Sequence, residues 1–209
     1  MKRSIWIITL VVLGIVVASP PLLRAHDGHD CDITGAWVGG SPAIPGVYNI
    51  PLIVTLSVIP TDPSGKRFTA GGGGPANGDN TLFGLFPDAD QNTASAWTIV
   101  RSGPGTYQFI ATSYFTKSPK PPNFDRGQIL YFWTLTGTGE CTGPDTLILS
   151  GTLKLYSNVD RPDLIVPPLG IYGVHDQDKD DDGFADAGEV PFFSAPWGFT
   201  YKRFPLMTP

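Results

Sequence analysis

The chain has 209 residues, a formal net charge of −5, 41% hydrophobic residues, and 25 glycines with 21 prolines. That length supports one domain with a core of its own. The balance is acidic and no basic face is written into it, which excludes nucleic-acid binding by phosphate neutralisation.

The chain opens with the order of a secretory signal. Lys2 and Arg3 precede an apolar run over residues 5–17, Pro20 and Pro21 break that run, and Leu23-Arg24-Ala25 offers a cleavage site before His26. Residues 1–25 are therefore expected to be a signal peptide. The run of 13 residues falls short of the roughly 20 that a membrane-spanning helix needs. The alternatives are an uncleaved anchor reaching through Leu23, and cleavage after Ala18. Loss of Lys2, Arg3 and Arg24 would take the charge from −5 to −8. The expected location is secreted, periplasmic or at the cell surface, with no span of the membrane after signal removal.

His26 and His29 follow, in His26-Asp27-Gly28-His29-Asp30. As a free N-terminus this segment could take copper, nickel or zinc; a polar leader ahead of the first strand is the plainer reading. Cys31 and Cys141 are the two cysteines of the chain. In an oxidising compartment an even count favours a disulfide between them, with two free thiols as the alternative.

From there to the C-terminus the sequence alternates apolar and polar residues, the period of half-buried strands. Strands are expected at residues 33–38, 51–58, 82–86, 95–101, 106–115, 128–136, 146–156 and 199–204. Leu147, Leu149, Leu153 and Leu155 share one face of the seventh, and Tyr107, Phe109, Ala111 and Phe115 one face of the fifth. Residues 128–136 (QILYFWTLT) are apolar on both faces and read as a strand covered on both sides. Asp62-Pro63-Ser64-Gly65, Ser102-Gly103-Pro104-Gly105 and Thr142-Gly143-Pro144-Asp145 are turn signals. Gly71 to Gly74 lack the Gly-Lys-Ser/Thr and helix of a phosphate loop, so a flexible surface loop is expected there.

Many short strands with such turns define an all-β fold, an antiparallel barrel with a sandwich as the alternative. Residues 26–209 form one domain, in which residues 158–198 are a connector and acidic-loop insertion ahead of the last strand.

The acidic loop carries the sharpest chemistry. Residues 176–189 hold seven acids and one lysine, a net of −6. Asp178, Asp180, Asp182, Gly183, Asp186 and Glu189 occupy positions 1, 3, 5, 6, 9 and 12 of a twelve-residue window, the spacing of an EF-hand loop. Calcium is a hard cation that takes six to eight oxygens at loosely fixed angles. Acids on alternate residues can turn inward as the backbone curls, Gly183 permits the bend, and Phe184 offers its carbonyl. Glu189 closes the set with both oxygens, and Asp186 acts directly or through water. The expected metal ligands are thus Asp178, Asp180, Asp182, Phe184, Asp186 and Glu189, and the cofactor is Ca2+.

Position 8 is Ala185 where an EF-hand carries a branched aliphatic residue, and neither flank reads as a helix. The loop therefore resembles the Asp-x-Asp-x-Asp-Gly-x-x-Asp repeats of thrombospondin type 3 modules. Such extracellular loops hold calcium at about 0.1–1 mM as a structural staple.

Nothing reads as an active site: there is no Gly-x-Ser-x-Gly, no His-Glu-x-x-His and no zinc spacing. No catalytic and no organic-cofactor residue is assigned. His175 is expected to be a surface residue beside the loop or a support to the metal ligands, rather than a catalyst. Trp37, Trp97, Trp133 and Trp197 are expected in the core, with an apolar pocket as the other reading.

At Ile33-Thr34-Gly35-Ala36-Trp37 the chain resembles the opening strand of lipocalin-like proteins. Ala96-Trp97-Thr98-Ile99, Gly105-Thr106-Tyr107 and Leu147-Ile148-Leu149-Ser150-Gly151 resemble small secreted bacterial proteins with such barrels. The resemblance spans about residues 32–156. It implies a barrel with an apolar interior and, by extension, a small apolar ligand. The expected function is thus a secreted calcium-binding barrel protein, with a cell-surface structural or adhesion module, or a barrel enzyme, as alternatives.

Overall fold

A computed structural model describes residues 31–41, 52–73, 89–118, 128–180, 182 and 184–205. The expected signal peptide, His26 and His29, the strand expected at 82–86, and Gly183 lie outside these residues.

Eleven strands are present among the described residues. They are β1 (Gly35–Ser41), β2 (Leu52–Pro60), β3 (Arg67–Gly73), β4 (Gln91–Asn92), β5 (Ser95–Gly103) and β6 (Thr106–Lys117), followed by β7 (Gln128–Gly143), β8 (Thr146–Ser157), β9 (Arg161–Val166), β10 (Ile171–Val174) and β11 (Phe193–Arg203). Eight of them close into an antiparallel barrel in the order β1-β2-β3-β5-β6-β7-β8-β11, and β11 pairs back to β1. The barrel expectation is borne out and the sandwich is not. Among the described residues no helix is long and apolar enough to cross a membrane.

Alternation sets the inside of the wall. Tyr107, Phe109, Ala111 and Phe115 on β6 and Leu147, Leu149, Leu153 and Leu155 on β8 are all buried, as their period-two spacing predicts. Each such leucine or phenylalanine removed from water contributes about 1.5–3 kcal/mol. Trp37 and Trp97 lie fully in this core, while Trp133 and Trp197 are partly buried against it.

Glycines mark where neighbouring strands crowd. Gly137 on β7 stands opposite Gly151 on β8, and a Cβ on Gly137 would meet the Gly151 Cα at 2.5 Å. Gly71, Gly72 and Gly73 also belong to a strand, β3, and not to the expected surface loop. A Cβ on Gly72 would meet Ser95 on β5 at 2.2 Å and one on Gly73 would meet Thr55 on β2 at 2.5 Å, whereas Gly71 faces open space, so crowding explains two of these three glycines.

The two ends of the barrel differ. One end carries the tight connections. Asp62 organises the first of them: its carboxylate accepts the Lys66 N–H at 2.9 Å and the Ser64 hydroxyl at 3.0 Å, and Gly65 takes φ of +62°. Residues 31–34 cross this end as a cap. Cys31 is bonded to Cys141 on β7 across 110 residues, as expected, and the Tyr107 hydroxyl donates to the Cys31 carbonyl. Ile33 is buried below it, and the Trp37 indole donates to the Ile33 carbonyl at 2.8 Å. Arg203, near the end of β11, lies 4.4 Å from the Trp37 ring and donates to the carbonyls of Thr34 (2.7 Å), Pro144 (3.1 Å) and Asp32.

The opposite end carries the connection from Ser157 to Phe193. Residues 158–170, expected as an extended connector, instead supply the first strand and turn of a β-hairpin: β9 pairs with β10 through Ile171↔Val166 and Tyr172↔Ile165. The prolines at 167 and 168 form a short 3-10 turn between them, and Gly170 ends it at φ of +71°. Leu164, Ile171 and Val174 are the buried face of this hairpin. The last strand starts at Phe193, earlier than the expected 199, so the insertion ends at 192.

Candidate metal centre

The acidic loop begins where β10 ends and is tied to the barrel rim residue by residue. Gln177 brackets the end of β8: its N–H donates to the Ser157 carbonyl at 2.8 Å, and its side-chain oxygen accepts the Ser157 N–H at 3.2 Å. One residue further, the Asn158 amide nitrogen donates to Asp178 Oδ2 at 2.7 Å. Asp160 accepts the Asp176 N–H at 3.1 Å and lies 3.3 Å from the His175 ring nitrogen. His175 is exposed on the surface beside the loop, the position expected of it.

From this anchor the loop curls as the spacing requires. Asp178 Oδ1 accepts the Asp182 N–H at 3.2 Å, four residues on, and Asp182 Oδ1 accepts the Phe184 N–H at 2.7 Å, the second bond an Asx turn. The curl brings one carboxylate oxygen each of Asp178, Asp180 and Asp182 within 4.8 Å of one another. Asp178 is buried, with 1% of its surface exposed, while Asp180 and Asp182 face water.

Three of the six expected ligands thus converge. Glu189 is engaged differently: its two carboxylate oxygens accept the N–H groups of Lys179 at 3.0 Å and Asp186 at 2.8 Å. Position 12 therefore closes the loop on itself, binding its first turn to its last. Each oxygen keeps a second lone pair, so the hydrogen bonds do not use up its capacity as a donor to a cation. Asp186 is exposed, and Phe184 contributes its N–H to the curl.

Electrostatics match a crowded anionic site. Although Asp180 is exposed, its carboxyl is pushed above the ordinary 3.8. Loss of water around it comes first, followed by the charge of Asp182, a hydrogen bond with Asp178 and the charge of Asp186. A divalent cation would reverse that repulsion. All the converging donors are carboxylate oxygens, the set suited to a hard cation such as calcium or magnesium rather than to a softer transition metal.

The loop also covers part of the barrel. Phe132 on β7 and Tyr156 on β8 point outward, yet both are buried; their rings stack at 4.8 Å and 6°. Tyr114 on β6 packs beside Phe132 at 6.2 Å, and Phe184 of the loop stands edge-on to Tyr114. Burial pushes the Tyr156 phenol above its ordinary pKa, a hydrogen bond with Thr134 opposes this, and the charge of Glu189 adds to the rise. This explains why residues 128–136 read as covered on both faces. The core fills one side, and the insertion shields the aromatic row on the other.

Asn158, Gln177, Tyr114 and Tyr156 escaped the sequence reading. Asn158 and Gln177 are separated in sequence from their partners and look like ordinary connector residues, while Tyr114 and Tyr156 look like strand residues of the solvent face.

The chain matches no protein-family model, no curated protein and no solved structure.

Proposed function

We propose that this chain is an exported calcium-binding β-barrel protein in which the ion is a structural staple. The observation that carries the reading is the convergence of Asp178, Asp180 and Asp182 within 4.8 Å at the rim of a closed eight-stranded barrel. Asp178, Asp180, Asp182, the Phe184 carbonyl, Asp186 and Glu189 would hold the ion. Its chemistry there is charge neutralisation and the fixing of backbone: seven acids in fourteen residues repel until a divalent cation draws them together. The Cys31–Cys141 disulfide supports an oxidising compartment, secreted or periplasmic. The Gly35-Ala36-Trp37 opening on β1 of an up-and-down barrel supports a lipocalin-like relationship.

A second reading, a cell-surface structural module, is favoured by the hairpin. Ile165 and Tyr172 face each other across β9 and β10, 60% and 71% exposed, and leave an apolar pair outward beside the loop. The barrel interior, occupied by Trp37, Phe68, Trp97, Phe109 and Tyr201, supports a scaffold role over capture of a small apolar ligand.

Titration calorimetry with calcium chloride tests the proposal. Saturable binding in the 0.1–1 mM range, lost in Asp180→Ala and Asp182→Ala, is expected. No heat up to 10 mM calcium would overturn it.

A further inference from the structure

We infer that Asn158, on the barrel rim and outside the acidic loop, supplies an oxygen to the ion site, so that the ion bridges barrel and loop. The inference rests on the calcium reading above and deepens it. Asn158 follows β8 directly, and its N–H donates to the Leu130 carbonyl at 2.9 Å, continuing the β7–β8 ladder. Its backbone therefore belongs to the rigid wall. The residue is 91% buried, being 9% exposed, and its Nδ2 is committed to Asp178 Oδ2 at 2.7 Å.

That commitment leaves Oδ1 as the atom to explain. It is buried and has no hydrogen-bond partner. A buried amide oxygen with nothing to accept from has lost its hydration without compensation, and an apolar residue of similar shape would avoid that cost. An uncharged oxygen beside three converging carboxylates is, however, a normal member of a calcium shell, which mixes carboxylates with Asn and backbone carbonyls. The neighbouring Asp178 is the most buried of the converging acids. A cation held by Asp178, the acid to which this same amide is bonded, would be the missing partner of Oδ1. The amide then acts at both ends: Nδ2 holds Asp178 in place and Oδ1 faces the ion.

The consequence is a site assembled from two parts of the chain. A loop that supplied all its own ligands could bind calcium while detached from the barrel. A site that includes Asn158 binds tightly only when the insertion is docked, so calcium fastens the insertion over Phe132 and Tyr156.

The test is calcium affinity in Asn158→Ala and Asn158→Asp, measured on the full protein, with melts in chelator confirming that each variant is folded. If the alanine variant is not, Asn158→Ser, whose hydroxyl is too short to replace the amide, takes its place. The inference expects alanine to weaken calcium at least tenfold and aspartate, which keeps an oxygen at the Oδ1 position, to bind at least as tightly as the wild type. Equal weakening by aspartate and alanine would overturn it, because the amide would then act only as a donor to Asp178. So would an alanine variant within threefold of the wild type. Failure of the wild type itself to bind would instead remove the calcium reading on which the inference stands.

Discussion

The ring of Phe184 stands edge-on to that of Tyr114, centroids 6.4 Å apart and planes at 84°, so the acidic loop touches the barrel wall through an aromatic pair. Phe184 sits two residues from Asp182 and five from Glu189, so any force that curls the loop also seats this ring. Such pairs contribute about 0.5–1.5 kcal/mol beyond area burial, and Phe184 is 59% exposed, which places the expected value at the low end. Phe184→Ala should therefore barely shift the melting point. It should speed amide exchange severalfold at Lys179 and Asp186, whose N–H groups are held by Glu189. Hydrogen-exchange mass spectrometry reads this directly. Unchanged exchange would mean that the loop is held without help from this ring, by the anchors at Gln177, Asn158 and Asp160.

Arg203 closes the other end of the barrel. Its guanidinium covers Trp37 at 4.4 Å and donates to three carbonyls on two segments. Lysine keeps the charge but loses the planar fork that serves all of them at once. Arg203→Lys should cost about 1–3 kcal/mol in urea unfolding. A midpoint equal to that of the wild type would show that the cap is secured without the Arg203 fork, by the disulfide and the bonds from Tyr107 and Trp37.

Gly137 and Gly71 make a matched pair. A Cβ on Gly137 would run into the Ser150 carbonyl and the Gly151 Cα, both backbone, whereas one on Gly71 meets nothing within 4 Å. Gly137→Ala is expected to destabilise by about 2 kcal/mol or more, and Gly71→Ala to stay within about 0.5 kcal/mol. Equal effects in thermal melts would contradict the close β7–β8 approach.

Asp32 gives the cap a pH dependence. Its carboxyl lies below the ordinary 3.8, chiefly because the hydroxyl and N–H of Thr34 bond to it, with the charges of Arg203 and Arg101 adding to the effect. A depressed folded value means that the unfolded chain holds its proton to higher pH. The contribution is therefore complete above the unfolded pKa and is lost as pH falls through the folded one. The stability gap between wild type and Asp32→Asn should be constant above about pH 5 and close below pH 3.8. A gap that persists at pH 2 would contradict this account.

The sequence revealed more of the wall than of the insertion, for a physical reason. Strand identity is a local property: the leucines of β8 and the aromatics of β6 show their buried face through spacing alone. The disulfide followed from count and compartment. Gly71 to Gly73 misled because glycine marks both loops and crowded strands, and only the neighbours, here Ser95 against Gly72 and Thr55 against Gly73, tell them apart. Residues 158–170 misled because prolines at 162, 167 and 168 hide a hairpin whose partner strand is only four residues long. The ion-site spacing was visible, but its attachment was not. Asn158 meets Asp178 across 20 residues, and nothing local marks it.

The central claim is that calcium at the acidic loop stabilises the folded barrel, and thermal melting in calcium and in chelator tests it most directly. With affinity in the 0.1–1 mM range, 10 mM calcium should stabilise the protein by about 1.4–2.7 kcal/mol, raising the midpoint by several degrees. Asp178→Ala should remove the rise. Identical melts in calcium and chelator, in both proteins, would contradict the account and leave residues 176–189 as a solvated acidic loop docked on a β-barrel.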